Sequence, residues 1–198
     1  MSTHRLPLSP LRAGELPLPQ SSARYLARVL RLRVGDRFEA FDPREGTTAA
    51  GYIVSLSDEI VVVHVETPRA GDADAAPIVL VQGYPKGDKL ADIVRDATEL
   101  GATLVIPAIC ERSVARPDPS KGEARAQRLE AVAAEAARQC GRARAPTVLA
   151  PVAWADAIET TSSLGVRGFV LYERAREPLA PELLATAKDD AVAFAIGP

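Results

Sequence analysis

Histidine and cysteine are scarce in this 198-residue sequence, which contains only two of each. His4 stands near the amino terminus and His64 within a β-like run, so neither a Cys/His metal site nor a Ser/His/Asp triad can be assembled in the second half of the chain. We therefore expect no metal. Cys110 and Cys140 occur in a chain whose start has no signal-peptide character, which favours a reduced, cytoplasmic protein without a disulfide.

Long apolar runs are also absent, since none approaches the roughly 20 residues that a membrane span requires. Lysine is rare as well: most of the 24 basic residues are arginine, and the formal net charge is -2. Such a balance gives no bulk attraction to nucleic acid, although the planar guanidinium of arginine suits phosphate and base recognition. The positions of the arginines therefore matter more than their number.

The composition changes at Thr67–Pro77, where proline, glycine, alanine and aspartate replace a β-branched pattern. Before this break, short β-like runs bounded by turn residues cover 37–41, 51–56 and 60–65. We predict a small β-barrel or sandwich domain over residues 1–70, a linker over 71–76 and a second domain over 77–198.

After the linker, strands and helices alternate, which is typical of a parallel α/β sheet covered on both faces. The predicted strands are 78–83, 103–109, 168–172 and 191–196, with helices beginning at Leu90 and after Ser120 and a third near 181–188. In the first helix, Leu100 belongs to the predicted apolar face and Gly101 is the C-cap. In the second, Ser120 and Glu123 form a predicted capping box, and Cys140 ends an apolar face that we expect to be buried.

Open α/β sheets bind ligands beyond the carboxyl ends of their strands, so the segments after those ends are the candidate sites. They are 83–89, 111–113, 172–174 and 197–198. The first has Gly83 and Gly87 but neither the Walker A nor the G-x-G-x-x-G pattern, so a phosphate loop competes with an ordinary turn in which Asp88 is the N-cap. For Cys140, a small buried residue is a simpler interpretation than a nucleophile.

Two groups of arginines are candidates for phosphate contacts. The first is Arg24, Arg28, Arg31 and Arg33, and the second is Arg112, Arg138, Arg142 and Arg144. If the first segment is helical, Arg24, Arg28 and Arg31 share one face opposite an apolar one. That face could equally be a solvated surface without a partner.

Several stretches resemble, in the same order, the bacterial small-subunit ribosomal RNA uracil-N3 methyltransferases of the SPOUT superfamily. They are RYLARVLRLRVGD, KGDKLADIVRDATELGA, the ERS at 111–113, EAARQCGRARAP and the final IGP. The resemblance spans roughly the whole chain, and its most specific part is 135–146. It implies a PUA-like RNA-binding β-barrel followed by an α/β trefoil-knot domain that binds S-adenosylmethionine and forms a homodimer.

The resemblance also implies functional residues. Its cofactor-binding loops correspond to Leu171, Tyr172, Glu173, Gly197 and Pro198, although Glu173 could instead have a structural role. The implied acceptor is N3 of a uridine in small-subunit ribosomal RNA, an imide nitrogen that must lose its proton before it attacks the methyl group. No convincing general base is found, so positive charge is the alternative, with Arg142 and Arg112 as candidates for substrate phosphate or active-site contacts.

The sequence holds only the beginning of the family's Gly-Pro-Glu-Gly-Gly loop, and the later segment that closes the family's knot is missing. We therefore expect an α/β domain truncated before the knot closes, with weak cofactor binding and no useful activity in this chain alone. Two other functions stay open. One is a non-catalytic RNA-binding or ribosome-assembly protein, which cofactor binding by the complete gene product would argue against. The other is a metabolite-binding α/β enzyme unrelated to RNA.

Overall fold

The structure is a computed structural model that describes residues 4–18, 22–23, 25–57, 60–71, 76–111, 113–176 and 191–197. The chain divides into two compact units. The first is Met1–Ala73 with Gly141–Arg144, and the second is Asp74–Cys140 with Ala145–Pro198. The helix expected near 181–188 lies outside the described residues, as do Arg24, Arg112 and Pro198.

The first unit is built on a six-stranded sheet. Its strands are β1 (Arg5–Pro7), β2 (Gly14–Leu18), β3 (Arg37–Asp42), β4 (Thr47–Leu56), β5 (Val61–Val65) and β6 (Arg69–Ala70). The order is β1-β3-β4-β5-β2, with β6 paired to β4, and every pair is antiparallel except β1 with β3. The strands predicted for this half of the chain are confirmed.

Alternate residues of these strands face a single core, as a sheet with one buried face requires. In β5, Val61, Val63 and Val65 are fully buried. One π-helical turn, Tyr25–Val29, adds residues to the same core. The chain leaves this turn at Arg31, whose φ of 56° is not helical, so Arg28 and Arg31 do not share one continuous helical face.

The second unit is built on a six-stranded sheet in which every pair is parallel. Its strands are β7 (Ile78–Gly83), β8 (Leu104–Ile109), β9 (Thr147–Val148), β10 (Val152–Ala153), β11 (Arg167–Leu171) and β12 (Val192–Ile196). The order is β10-β8-β7-β12-β11, with β9 paired to β8. The predicted parallel α/β sheet is confirmed, and the four predicted strands are in place.

Helices cover both faces of this sheet, as predicted. They are α1 (Lys89–Glu99), α2 (Gly122–Cys140) and α3 (Trp154–Ser163). On one face, α1 and α2 bury Val94 and Leu129 against Val105, and on the other α3 buries Ala157 against Val81. None of the helices in the described ranges is long and apolar enough to cross a membrane.

The ends of the helices differ from three predictions. The capping box is wrong, because Ser120 lies in a 3-10 turn, Pro119–Lys121, and donates its N–H to the Asp118 carboxylate at 3.0 Å before α2 begins at Gly122. Leu100 is 80% exposed because α1 ends one residue earlier. Cys140 is exposed rather than buried, since the packed stretch of α2 ends at Ala137.

Candidate functional site

The carboxyl ends of four parallel strands in the second unit form one continuous edge. The register places Leu171, Ile196, Gln82 and Pro107 side by side on β11, β12, β7 and β8. Because neighbouring strands lie about 4.8 Å apart, the segments that follow these residues leave the sheet next to one another. Ligands of open α/β sheets bind at such an edge.

Described residues from both predicted cofactor-binding segments meet at this edge. Leu171 ends β11 beside the end of β12, and Gly197 follows β12 directly. Tyr172 is 61% exposed, and a Cβ placed on Gly197 would meet no atom within 4 Å. Glu173 is exposed and lies 3.9 Å from the Arg174 guanidinium, a contact that contributes little at a solvated surface. The edge therefore offers open space beside an exposed apolar and aromatic pair.

A buried amide, that of Gln82, stands in the middle of the edge. Its side chain is 7% exposed, and Nε2 donates to the Gly83 carbonyl at 3.0 Å and to the Gly197 carbonyl at 3.5 Å. The longer contact is at the outer limit for a hydrogen bond, but it joins the end of β7 to the segment after β12. Sequence reasoning missed Gln82, although a polar residue inside the apolar run 78–83 was the available signal.

The turn after β8 is closed by Ser113. Its N–H donates to the Cys110 carbonyl at 3.0 Å, and its Oγ accepts the Cys110 N–H at 3.1 Å. The pKa of the Cys110 thiol lies above its ordinary value, because the effect of burial outweighs the opposite effect of the side-chain hydrogen bond with Ser113. The thiol is therefore protonated at physiological pH and is poorly suited to act as a base or nucleophile. Across the described residues, no three His, Cys, Asp or Glu side chains come together as a metal site would need.

One arginine of α2 reaches the end of β7. The Cζ atom of Arg125 lies 5.6 Å from the centroid of the Tyr84 ring, and the Tyr84 N–H donates to the Ala108 carbonyl at 2.7 Å. Tyr84 is only 8% exposed. The Nη1 atom of Arg125 is buried and has no hydrogen-bond partner in the described part of the chain. Sequence reasoning missed this residue because nothing local distinguishes it from other arginines of the helix.

Arg138, a predicted RNA contact, is engaged within α2. Its Nε donates to the Glu135 carboxylate at 2.8 Å, its Nη2 contacts the second oxygen, and Gln139 donates to that oxygen at 3.0 Å. The hydrogen bonds from Arg138 hold the pKa of Glu135 below its ordinary value. The positive charge of Arg138 is therefore largely balanced inside the helix, and its contact with RNA stays a prediction.

Arg142 and Arg144 belong to the first unit, because residues 141–144 pack on it. The Arg5 Nη1 donates to the Arg142 carbonyl at 3.0 Å, and the Arg144 Nη2 donates to the Glu45 carbonyl at 3.0 Å. A Cβ on Gly71 would collide with the Cβ of Ala143. Two hydrogen bonds from arginine side chains to backbone carbonyls and the close approach of Ala143 to Gly71 hold residues 141–144, which we name the docked segment.

Arg5 anchors the docked segment from a buried position. Its side chain is 11% exposed, its Nε donates to Glu39 at 2.6 Å, and its guanidinium lies 4.3 Å from the Phe41 ring centroid. The guanidinium fork of Arg5 has several donors, so it bonds Glu39 through Nε and the Arg142 carbonyl through Nη1 at the same time. This arrangement accounts for the arginines that follow α2. Gly141, with φ of 86°, ends the helix, and the residues after it belong to the first unit.

The described arginines of the first group lie on the surface of the first unit. Arg28, Arg31 and Arg33 are exposed, and within the described residues none of their side chains takes part in an ion pair. The Arg33 N–H donates to the Asp36 carboxylate at 2.7 Å and the Arg33 carbonyl accepts the Asp36 N–H at 3.0 Å, and both of these contacts use the backbone of Arg33. These guanidinium groups are thus accessible cations.

Two family models match the chain, one to each half. The model described as RNA methyltransferase domain matches residues 73–198, and the one described as RNA methyltransferase PUA domain matches residues 18–66. The chain belongs to the RNA methyltransferase domain family. The resemblance found in the sequence, and the PUA-like assignment of the amino-terminal half, are thereby confirmed.

This RNA methyltransferase family member is similar to curated relatives from several bacteria. It is 30% identical over 183 residues to ribosomal RNA small subunit methyltransferase E of Synechocystis sp., an alignment that covers 89% of this chain and 57% of the relative. It is 31% identical over 126 residues to the protein of the same name from Bacillus subtilis, covering 63% and 49%. The chain spans about half the length of these relatives.

Solved structures share the fold of this family member. A ribosomal RNA small subunit methyltransferase E from Neisseria gonorrhoeae, bound to S-adenosylmethionine, superposes with a TM-score of 0.82 at 24% identity, covering 100% of this chain and 80% of that one. A structure from Legionella pneumophila, solved with the same cofactor, gives 0.82 at 21% identity and covers 100% and 81%. At these identities the likeness establishes the two-domain fold.

Proposed function

We propose that the whole protein transfers a methyl group from S-adenosylmethionine to N3 of a uridine in small-subunit ribosomal RNA. The match of the RNA methyltransferase domain to residues 73–198 carries this proposal. The adjoining PUA match and the names of the curated relatives support RNA of the small ribosomal subunit as the substrate. The two similar structures that contain S-adenosylmethionine support the cofactor.

The edge of the second sheet fits this cofactor. An adenosyl group needs an apolar wall and nearby backbone polar groups, and the exposed Leu171 and Tyr172 beside Gly197 supply both. We propose that these residues hold the cofactor together with Glu173 and Pro198. When bound, S-adenosylmethionine supplies an electrophilic methyl group. The chain's own contribution is to hold the uridine base against it with little water.

Removal of the N3 proton is the chemical demand on the protein. Cys110 is poorly placed to accept it, because burial keeps its thiol protonated. Stabilisation of the developing anion by positive charge is the other route, and we propose Arg142 and Arg112 for it or for a substrate phosphate. Within the first unit, the Arg5 bond to the Arg142 carbonyl fixes the backbone that carries the Arg142 side chain.

The finer properties of the family are part of the same proposal. We propose a cytoplasmic homodimer that pairs through the second unit and a trefoil knot in that unit. The position of β12 between β7 and β11 is compatible with such a knot. Light scattering at micromolar concentration measures the dimer directly.

Calorimetry and RNA mass spectrometry together test the proposed function. The whole protein is titrated with S-adenosylmethionine, and small-subunit RNA from cells lacking the gene is digested after incubation with protein and cofactor. We expect binding and one added methyl group on a uridine. Because methylation at N3 blocks base pairing, reverse transcriptase should stop at the same nucleotide. RNA binding without any cofactor binding would favour the alternative, a non-catalytic RNA-binding or assembly protein.

A further inference from the structure

The Arg125 guanidinium is buried in part without the anion that its charge calls for. Its Nη1 has no hydrogen-bond partner in the described part of the chain. Asp118 interacts with it only at a distance, because the Asp118 carboxylate is hydrogen-bonded to Ser120 and forms no ion pair with Arg125. Buried cations without a partner are strongly unfavourable, so a site that keeps one usually presents it to a ligand.

Within the described residues, this guanidinium is held in place without a neutralising carboxylate. The Tyr84 ring lies 5.6 Å from Cζ, within the range of a cation–π contact, and Tyr84 itself is buried and tied to β8 through Ala108. The backbone of Arg125 lies in α2, where the next residue, Ala126, is buried in the core. Arg125 is therefore preorganised at the end of β7, and its Nη1 donor is unused within the described residues.

Within the second unit, Arg125 lies at the end of β7, one strand away from the candidate cofactor segment that follows β12. Tyr84 follows β7, and β7 is the direct neighbour of β12, after which Gly197 leaves the sheet. Gln82 bridges the two strand ends. A substrate whose base lies beside the end of β12 therefore has its sugar-phosphate chain close to the end of β7, because adjacent strands are only about 4.8 Å apart.

We propose that Arg125 binds a phosphate group of the substrate RNA. This inference rests on the proposed function, since it places the RNA strand at the edge that the cofactor would share. The Arg125 side chain is only partly buried, so a phosphate oxygen would accept a charge-assisted hydrogen bond from the exposed edge of its guanidinium fork, whose charge no described carboxylate balances. The cost of burying the charge in the free protein is recovered when the RNA binds.

Three variants of the whole protein test the phosphate contact. Arg125→Met keeps the apolar stem, Arg125→Lys keeps the charge, and Arg95→Met removes an exposed arginine whose ion pair in the described residues is with Asp92 on α1. Affinity for single-stranded RNA from the small subunit is measured over a range of salt concentrations. Arg125→Met should weaken binding about tenfold and reduce the slope of log affinity against log salt by about 0.7. Arg125→Lys should fall between, and Arg95→Met should match the wild type.

Thermal unfolding and cofactor titration separate this role from others. If Arg125 had a purely structural role, its replacement would lower the melting temperature. Removal of a partly buried charge that has no described partner should instead leave the melting temperature equal or higher. Cofactor affinity should be unchanged in Arg125→Met. A fall in cofactor affinity with unchanged RNA binding would assign the guanidinium to the cofactor carboxylate and overturn the proposal. Wild-type protein that binds no cofactor would defeat the proposed function, and the RNA titrations would still decide the role of Arg125.

Discussion

The two cysteines differ in surroundings, and their reactivity should differ accordingly. Cys140 is exposed at the last residue of α2, whereas Cys110 is partly buried with a raised pKa. Because the thiolate is the reactive form, we predict that an aromatic disulfide reagent at pH 7.5 modifies Cys140 rapidly and Cys110 slowly. Replacement Cys140→Ser should remove only the fast phase. Faster modification of Cys110 would contradict the described burial.

At the residue scale, the sequence predicts conformation better than chemical environment. Gly101 could be assigned to a helix end because only glycine readily adopts its φ of 100°. Gln82 and Arg125 could not be assigned, because their roles depend on which strand ends are neighbours. Strand order is a long-range property, and no local pattern around either residue carries it.

Among the elements, the docked segment depends on glycines of the first unit. A side chain at Gly71 would collide with Ala143 and lie 2.9 Å from the Gly46 carbonyl. We predict that Gly71→Ala lowers the free energy of unfolding by about 1–3 kcal/mol, as overpacking does. The matched control is Gly168→Ala, where a Cβ would meet no atom within 4 Å and the change should stay under about 0.5 kcal/mol. Equal effects in chemical denaturation would argue against the docking.

Helix α3 was not predicted from the sequence, and it shows where hydrophobic periodicity fails to indicate a helix. In α3, only Ala157 and Thr161 are buried, so there is no strong apolar stripe to read. Its last residues are threonines and serines, which favour turns in sequence-based reasoning. In the structure their hydroxyls donate to backbone carbonyls three or four residues earlier, as Thr161 does to Ala157 at 2.8 Å. The apolar strands, by contrast, could be predicted because glycine and proline mark their ends.

For the whole molecule, RNA binding should depend on the accessible arginines of the first unit. We predict that replacing Arg28, Arg31 and Arg33 together by glutamine weakens RNA binding across sequences. The slope of log affinity against log salt should fall by about 2, because a protein without these three phosphate contacts releases fewer counterions when it binds. The matched control replaces Arg12, Arg44 and Arg69, equally exposed arginines that are scattered through the same unit. An unchanged slope in the first variant would mean that these arginines form only a solvated surface.

The division into an amino-terminal β unit and an α/β unit is visible in the sequence because the hydrophobic rhythm changes near the predicted linker. The membership of residues 141–144 in the first unit has no such signal. It arises from contacts between Arg5 and Arg142, which are separated by more than half the chain. Local patterns identify elements, whereas such contacts are decided only when the whole chain has packed.

The position of β12 sets the order in which the second sheet can be completed on the ribosome. Both neighbours of β12, β7 and β11, are synthesised before it, and in the described residues β11 pairs with no other strand. Until residue 196 emerges, β11 lacks the strand with which it pairs in the described residues, and β7 has one open side. The nascent chain therefore carries two exposed strand edges until β12 has been synthesised, and chaperones that cover such edges would protect it during that interval.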